Sequence, residues 1–220
     1  MPLEENQSIL EGIMTSLSAQ PAGGSMESRV NIAPMGPIVD EAMTRLIFRP
    51  FKTSTTYKNL KATGEGVFHV TDDALLVARA AIGRVVVDAQ VSVRPAQRVT
   101  GLVLTGACRY YEVEVVQLDD RQERTRIEAR VVASGRMRDF FGFNRAKHAV
   151  LEAAILATRV HLTGPALAAA QLDQLQVSVD KTGSTNERRA MDLLRAYVNG
   201  SGAGRTAAAG GNTPRSQSSR

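Results

Sequence analysis

Val30-Asn31-Ile32-Ala33-Pro34-Met35 reads as a short β-strand with a proline close to its end and Gly36 just beyond it. Proline has no N–H to give to a ladder, so a strand that carries one stops pairing there or pairs on one side only. Gly36-Pro37 supplies a bend, and Ile38 to Phe48 resumes with mixed strand character. Upstream, Ile9 to Leu17 alternates apolar residues around Glu11 and Thr15, the pattern of a half-buried strand. Gln20 to Ser25 (QPAGGS) reads as the turn between these two strands.

Downstream the character changes at Arg49-Pro-Phe-Lys-Thr-Ser-Thr-Thr56, which is too polar for a core and reads as an ordered loop. Tyr57 to Thr63 follows as a short helix, capped by the hydroxyl of Thr55 or Thr56 and ended by Gly64. Val67 to Val70 is a strand, and Thr71-Asp72-Asp73 caps a helix over Ala74 to Ala81. Two long strands, Ala107 to Leu118 and Arg124 to Ala133, flank a polar turn at Asp119, Asp120 and Arg121. Their even positions are largely charged and their odd positions mostly apolar, so like parities should pair across a loop of three or five residues. That register sets Glu112 and Glu114 beside arginines on one face.

From Asn144 the alanine-rich run NRAKHAVLEAAILATRVHL predicts a helix to about Leu162, with Asn144 as N-cap and Gly164-Pro165 as its end. Ala166 to Leu172 should form a second, shorter helix. Ser184-Thr-Asn-Glu187 has capping-box spacing and opens a last helix to about Val198. The remainder lacks apolar residues to bury and is expected to be disordered. The expected fold is α+β: a β-rich domain over 1–143, a C-terminal helical subdomain over 144–199, and a disordered tail over 200–220.

With 43% hydrophobic and 22% charged residues in 220, the chain has the composition of a globular protein. Its net charge of +5 is concentrated at the C-terminus, where Arg205, Arg215 and Arg220 stand without an acid after Gly200, leaving +2 on the rest. A body so near neutrality lacks a phosphate-neutralising surface, and the tail has no aromatic residues to stack on bases, so no nucleic-acid partner is expected. The acidic N-terminus MPLEENQ has no signal-peptide character, and the apolar run Ala149 to Leu156 is interrupted by Glu152 and well short of the roughly 20 residues of a membrane span. With a single cysteine no intramolecular disulfide can form, and a cytoplasmic protein without a membrane partner is expected.

Sites of ordinary side-chain catalysis are not evident. His69, His148 and His161 lack metal-site spacing, so no metal is expected, and Cys108 in a strand-like run reads as a core residue rather than a nucleophile. Catalytic residues are left unassigned. The loop from Arg49 to Asn59 holds clustered hydroxyls, the cations Arg49, Lys52 and Lys58, and a helix start, which are the ingredients of a phosphate site. The competing reading is a solvated loop with an N-cap. Arg145, His148, Glu152 and Arg159 share one helical stripe, which reads either as a salt-bridge ladder or as a ligand surface in which Asn144 and Arg145 at the helix entrance are the better candidates.

Asn31-Ile-Ala-Pro-Met-Gly36, then Arg49-Pro-Phe51 and Ser54-Thr-Thr-Tyr-Lys-Asn59, then Gly66-Val-Phe-His-Val70, together resemble the flavin reductase and pyridoxamine-phosphate-oxidase-like FMN split barrels. Gly142-Phe-Asn-Arg-Ala-Lys147, Glu152, Ala157-Thr-Arg159 and Lys181-Thr-Gly183 are similar to the C-terminal signature of one archaeal and bacterial branch, so the likeness spans roughly Ile9 to Val198. It implies an antiparallel split β-barrel of Greek-key type over 1–143 and FMN as cofactor, with Asn31, Ala33, Pro34 and Met35 at the flavin ring and Arg49, Ser54, Thr55, Thr56 and Asn59 at the ribityl chain and phosphate. It also implies a homodimer with FMN near the interface.

The activity implied is that of an FMN-dependent oxidoreductase passing electrons or hydride to a small molecule, for which the branch suggests a pterin-related compound. A flavin carrier or sensor without catalysis is the alternative. In either case the flavin supplies the redox chemistry and no catalytic triad is required.

Overall fold

A computed structural model of the chain describes residues 7–19 and 25–209, with side chains described as far as Gly200. The turn expected at 20–25 lies outside the described residues except for Ser25, as does the part of the tail from 210 onward. The chain divides into two compact units, Met1–Phe143 and Asn144–Arg220.

The first unit contains β1 (Gln7–Ile9), β2 (Gly12–Leu17), α1 (Met26–Arg29), β3 (Val30–Met35), β4 (Ile38–Asp40), β5 (Arg45–Phe48), α2 (Thr55–Thr63), β6 (Glu65–Val70), α3 (Ala74–Ala81), β7 (Val93–Pro95), β8 (Leu102–Leu104), β9 (Arg109–Asp119) and β10 (Arg126–Arg136). Eight strands form one antiparallel sheet in the order β1-β4-β5-β10-β9-β6-β2-β3, and β7 and β8 form a separate pair. Consecutive strands β1 and β2 stand first and seventh in that order. Drawn flat, six inter-strand steps would separate them by about 29 Å. Only Leu10 and Glu11 join them, a reach of about 11 Å. The sheet must therefore curl until its ends approach. Gly36-Pro37 makes the same crossing from β3 to β4, and Leu10 N–H donates to Pro37 C=O (3.1 Å), so the two crossings are bonded to each other.

Curling encloses a core of Met14, Val39, Leu46, Phe48, Tyr57, Leu60, Phe68, Tyr111, Val113, Ile127 and Ala129, drawn from both ends of the strand order and from α2. The β7–β8 pair covers the outer face of β2, β6 and β9, where Val67, Val99, Val103 and Tyr110 make a second cluster. Three polar side chains fasten this cover. Thr15 Oγ1 donates to Leu102 C=O (2.6 Å). His69 Nε2 accepts from Leu104 N–H (3.0 Å), which places the ring proton on Nδ1, facing Ile13 C=O (3.2 Å). Glu112, fully buried, accepts from the backbone N–H groups of Gln97 (2.9 Å), Arg98 (2.6 Å) and Val99 (3.3 Å).

Several expectations are corrected here. The stretch Ile9 to Leu17 is two strands, because its two ends pair with opposite ends of the sheet, and β2 is buried along its whole length because the β7–β8 cover supplies a second apolar face. Ile38 to Phe48 is likewise two strands, β4 and β5, parted by a turn in which Met43 adopts φ 53°. Ser54, not Thr55 or Thr56, caps α2, its Oγ accepting from Tyr57 N–H (3.2 Å). The β9–β10 hairpin opens on Asp119↔Arg126, opposite parities across the six-residue loop 120–125. A bulge between Glu128 and Ala129 then restores like-parity pairing, and Glu114 meets Arg130 at 3.0 Å. Glu112 instead holds the backbone of the cover.

The second unit is helical: α4 (Arg145–Thr158), α5 (Val160–Thr163), α6 (Pro165–Thr182) and α7 (Thr185–Ala209). The helix expected to reach Leu162 breaks at Arg159, and the short helix expected over Ala166 to Leu172 continues to Thr182, with Ala168, Leu172 and Val179 buried. Burial outweighs the low helix propensity of the valines near its end. The capping box is present, Glu187 Oε2 accepting from Ser184 N–H (2.9 Å) and Ser184 Oγ from Asn186 N–H (3.2 Å). The tail expected to be disordered from residue 200 begins as a continuation of α7 to Ala209, since residues added to an existing helix need no new nucleus. No described helix is long and apolar enough to cross a membrane.

Gly12 has no room for a side chain: a Cβ there would lie 2.3 Å from His69 C=O and 2.7 Å from the Phe68 ring. Gly12→Ala should cost about 1–3 kcal/mol, read as a lower urea midpoint with unchanged slope. Burial pushes the His69 imidazole down to about 4, with the Arg94 charge adding to the effect and the bond to Ile13 C=O opposing it. The unfolded chain therefore takes up the proton first. The stabilisation is complete above about pH 6.5, is lost as pH falls towards 4, and is on the order of 3 kcal/mol. The stability difference between wild type and His69→Gln should shrink across that interval, and a pH-independent difference would contradict it.

Candidate functional site

Among the described residues, edge strand β3 pairs with β2 alone, from Gly12↔Met35 to Leu17↔Val30, and its outer edge carries no ladder. Its Asn31, Ala33, Pro34 and Met35 are partly exposed. Helix α2 is held to this ribbon by two side-chain amides. Asn31 Nδ2 donates to Thr56 Oγ1 (3.0 Å), and buried Asn59 donates through Nδ2 to Ser16 C=O (3.2 Å) and Ser16 Oγ (3.1 Å). The start of α2 is thereby brought against the strand expected to carry the flavin ring. On its other side, Tyr57 Oη donates to Asp120 Oδ2 (2.7 Å), and Lys61 Nζ reaches the same oxygen (2.7 Å). Asp120 and the Tyr57 hydroxyl together raise the Lys61 ammonium above the ordinary lysine range.

The loop leading into α2 is held by the turn between β9 and β10. Pro50 C=O accepts from Thr125 N–H (3.0 Å) and Oγ1 (2.8 Å), Lys52 N–H donates to Glu123 C=O (3.0 Å), and Phe51 bridges to Arg124. In this ordered frame three donor sets lack protein acceptors among the described residues. Arg49 Nε is buried and has no hydrogen-bond partner. The N–H groups of Thr55 and Thr56 precede the first intrahelical bond, and Ser54 takes only that of Tyr57. Since Thr56 Oγ1 accepts from Asn31, its own proton is left for another acceptor. The first turn of α2 carries no acid. A buried guanidinium edge and open N–H groups at a positive helix end fit a phosphate dianion.

The remaining site residues expected from the sequence divide. Ser54 acts as the cap, Thr55 is exposed, and Asn59 is committed to Ser16 in addition to any ligand role. In the second unit, Asn144 caps α4, accepting from Ala146 N–H (2.9 Å) and Lys147 N–H (3.1 Å) and donating to Thr182 C=O (3.2 Å). Arg145, His148, Glu152 and Arg159 are exposed. Cys108 is buried, and burial raises its thiol above the usual range, as expected of a core residue. A group missed in the sequence is Arg29, which immediately precedes β3. Its Nη2 donates to Ser18 C=O (2.9 Å), while its Nε is buried without a partner among the described residues. Only its place at the start of the ring strand could have marked it.

This closed, edge-bearing sheet with a helix start beside the edge strand is the architecture of the split-barrel proteins. The chain belongs to the family DUF447, a protein family of unknown function: the model of its N-terminal domain matches residues 23–138 and that of its C-terminal part residues 144–196. A crystal structure of an FMN-bound protein from Methanosarcina mazei, carrying the same family model, is similar over 86% of this chain and 94% of that one, at 23% identity and a TM-score of 0.71. An FMN-binding protein from Thermus thermophilus with bound cyclohexenone is similar over 58% and 70%, at 19% identity and a TM-score of 0.44. For the 2-nitrobenzoate 2-nitroreductase of Pseudomonas fluorescens the figures are 57%, 63%, 16% and 0.44. No curated protein matches the chain.

If Arg49 is held for a ligand rather than for the fold, its removal should not harm the ligand-free protein. Arg49→Met should leave stability unchanged or raise it by about 1 kcal/mol, because an unsatisfied buried donor is lost. Asn59→Ala should lower it by about 1–3 kcal/mol, because Ser16 loses its partner. Chemical denaturation of flavin-free protein separates the two, and a marked loss in Arg49→Met would make Arg49 structural.

Proposed function

We propose that the chain is an FMN-binding flavoprotein and acts as an FMN-dependent oxidoreductase on a small molecule. The observation that carries this reading is the buried, unpartnered Nε of Arg49 beside a helix start whose first N–H groups have no protein acceptor. The FMN bound by the Methanosarcina mazei family member supports it. Arg49, Ser54, Thr55, Thr56 and the α2 N–H groups hold the phosphate and ribityl chain, and Asn31 fixes the Thr56 hydroxyl for that task. Asn31, Ala33, Pro34 and Met35 present the free edge of β3 to the polar rim of the flavin ring. Arg29, at the head of the same strand, adds a second cation. Bound FMN would supply reversible two-electron transfer.

The protein's own part is to bind, orient and shield. His69 is locked neutral between Ile13 and Leu104, and Cys108 is buried with a raised thiol, so neither is offered as an acid, base or nucleophile. A homodimer with FMN near its interface is part of the proposal, supported by the open edge of β3, at which the flavin and a second subunit would meet. A cytoplasmic location also belongs to it.

Protein purified from a flavin-replete host, or reconstituted with FMN, should absorb at about 370 and 450 nm, and the bands should bleach on anaerobic addition of NADH or NADPH. Arg49→Ala and Thr56→Ala should each weaken FMN binding about tenfold or more. Absence of the bands after reconstitution removes the cofactor, and bands without donor-dependent bleaching and turnover leave a flavin carrier.

A further inference from the structure

A cavity of about 300 Å³ opens at one rim of the barrel, lined by Val70, Cys108, Arg109, Arg136, Arg138, Asp139 and Phe140. Arg109 and Arg136 are direct cross-strand partners on β9 and β10. Like charges placed directly opposite destabilise an antiparallel pair, so this arrangement costs stability in the ligand-free chain. Two of the three guanidiniums have an acid beside them: Arg138 pairs with the buried Asp72, and Arg136 with the solvent-exposed Asp139, a surface pair that only weakly offsets its charge. Arg109 has no partner among the described residues.

The segment that forms the wall is fixed. Asp72 Oδ2 accepts from Phe141 N–H (2.7 Å), Arg138 Nε donates to Gly106 C=O (3.0 Å), and Met137 N–H donates to Cys108 C=O (2.9 Å). Held in this way, Phe140 still shows 48% of its surface. Arg109 follows Tyr111 and Val113 on the inward-facing positions of β9, and Val70 and Met35 both pack against the inner core at its margin. The cavity thus lies on the same face and at the same end of the sheet as the Met35 end of β3. Between them the strands β3, β2, β6, β9 and β10 stand side by side, with Met35↔Gly12, Ile13↔His69, Val70↔Arg109 and Arg109↔Arg136 as the pairs at or next to this end.

We infer that Arg109, Arg136 and Arg138 form a second anion site, distinct from the one at α2. It takes the phosphoryl or carboxylate end of a small molecule, whose apolar part lies against Phe140 and Val70. The paired arginines offer forked donors to such an oxyanion, and its charge removes the repulsion between Arg109 and Arg136. Along the row, three strand steps place Arg109 about 14 Å from the Met35 end of β3. A ligand anchored here can extend towards that end. The site stands whether or not FMN binds.

The test is the melting temperature and calorimetric affinity of the full chain with pyrophosphate or with citrate, each against sodium chloride at equal ionic strength. At least one anion should raise the melting temperature above its salt control, with the better of the two giving the oxyanion class. Arg109→Gln should lose about tenfold or more in affinity at this site and the share of the rise that goes with it, while Arg49→Met, which removes only the anion site at α2, keeps that share. Without anion, Arg109→Gln should melt no lower than wild type, because a like-charge contact is relieved. Arg109→Lys, which keeps charge but loses the fork, should fall between them. A rise matched by sodium chloride, a rise equal in Arg109→Gln, a rise lost only in Arg49→Met, or an Arg109→Gln protein unstable without anion each overturns the inference. Pyrophosphate or citrate binding that depends on Arg109 in a protein that never takes up FMN would refute the flavin reading and leave this one intact.

Discussion

Two short links, Leu10-Glu11 and Gly36-Pro37, join strands that stand at opposite ends of an eight-strand order. No flat sheet satisfies both. Closure encloses the core, and because β1 and β3 do not pair with each other the barrel stays split. The edge left open on β3 is the consequence that matters for function. It is an exposed row of backbone donors and acceptors at a fixed place, and edges of this kind are covered by a ligand, another chain or a protective device.

What makes that edge a candidate site is the helix beside it. Asn31 to Thr56 and Asn59 to Ser16 hold α2 to the β2–β3 ribbon, and Asp120 holds it to the β9–β10 hairpin. Four elements from distant parts of the sequence thus position one helix start. Buried guanidinium nitrogens of Arg29, just before β3, and of Arg49, just before the loop into α2, have no acceptors among the described residues. A protein interior does not ordinarily leave such donors unpaired, since each one costs free energy that a bound anion would recover. Asn59 shows the contrast: it belongs to the family pattern, yet its amide is already used by the fold.

Legibility in the sequence followed the range of the interactions. The strand Val30–Met35, the helix Ala74–Ala81 and the capping box at Ser184 are set by residues a few positions apart, and they were readable. The Arg49–Asn59 loop was readable as a possible phosphate site from its hydroxyls and cations, with the resemblance naming the phosphate. The β7–β8 cover was not, because its two strands are three residues each and are fixed by Thr15, His69 and Glu112 from far away in the chain. For the same reason Glu112 looked like a surface charge when it is the buried acceptor of three N–H groups. The hairpin parity argument failed at the loop and succeeded in the middle, since a bulge has no mark in an alternating pattern. Nothing in the sequence marks Arg109, Arg136 and Arg138 as a group, and it is the β9–β10 register that sets two of them face to face.

The central claim is that the phosphate of FMN is held at the start of α2. Comparing the affinities of FMN and riboflavin for the flavin-free protein by quenching of flavin fluorescence tests it most directly, since the two ligands differ only in that phosphate. The account predicts that FMN binds about a hundredfold more tightly, the worth of two charge-assisted contacts, and that Arg49→Met removes most of the difference. Equal affinities, or a preference for FMN that survives Arg49→Met unchanged, would contradict it.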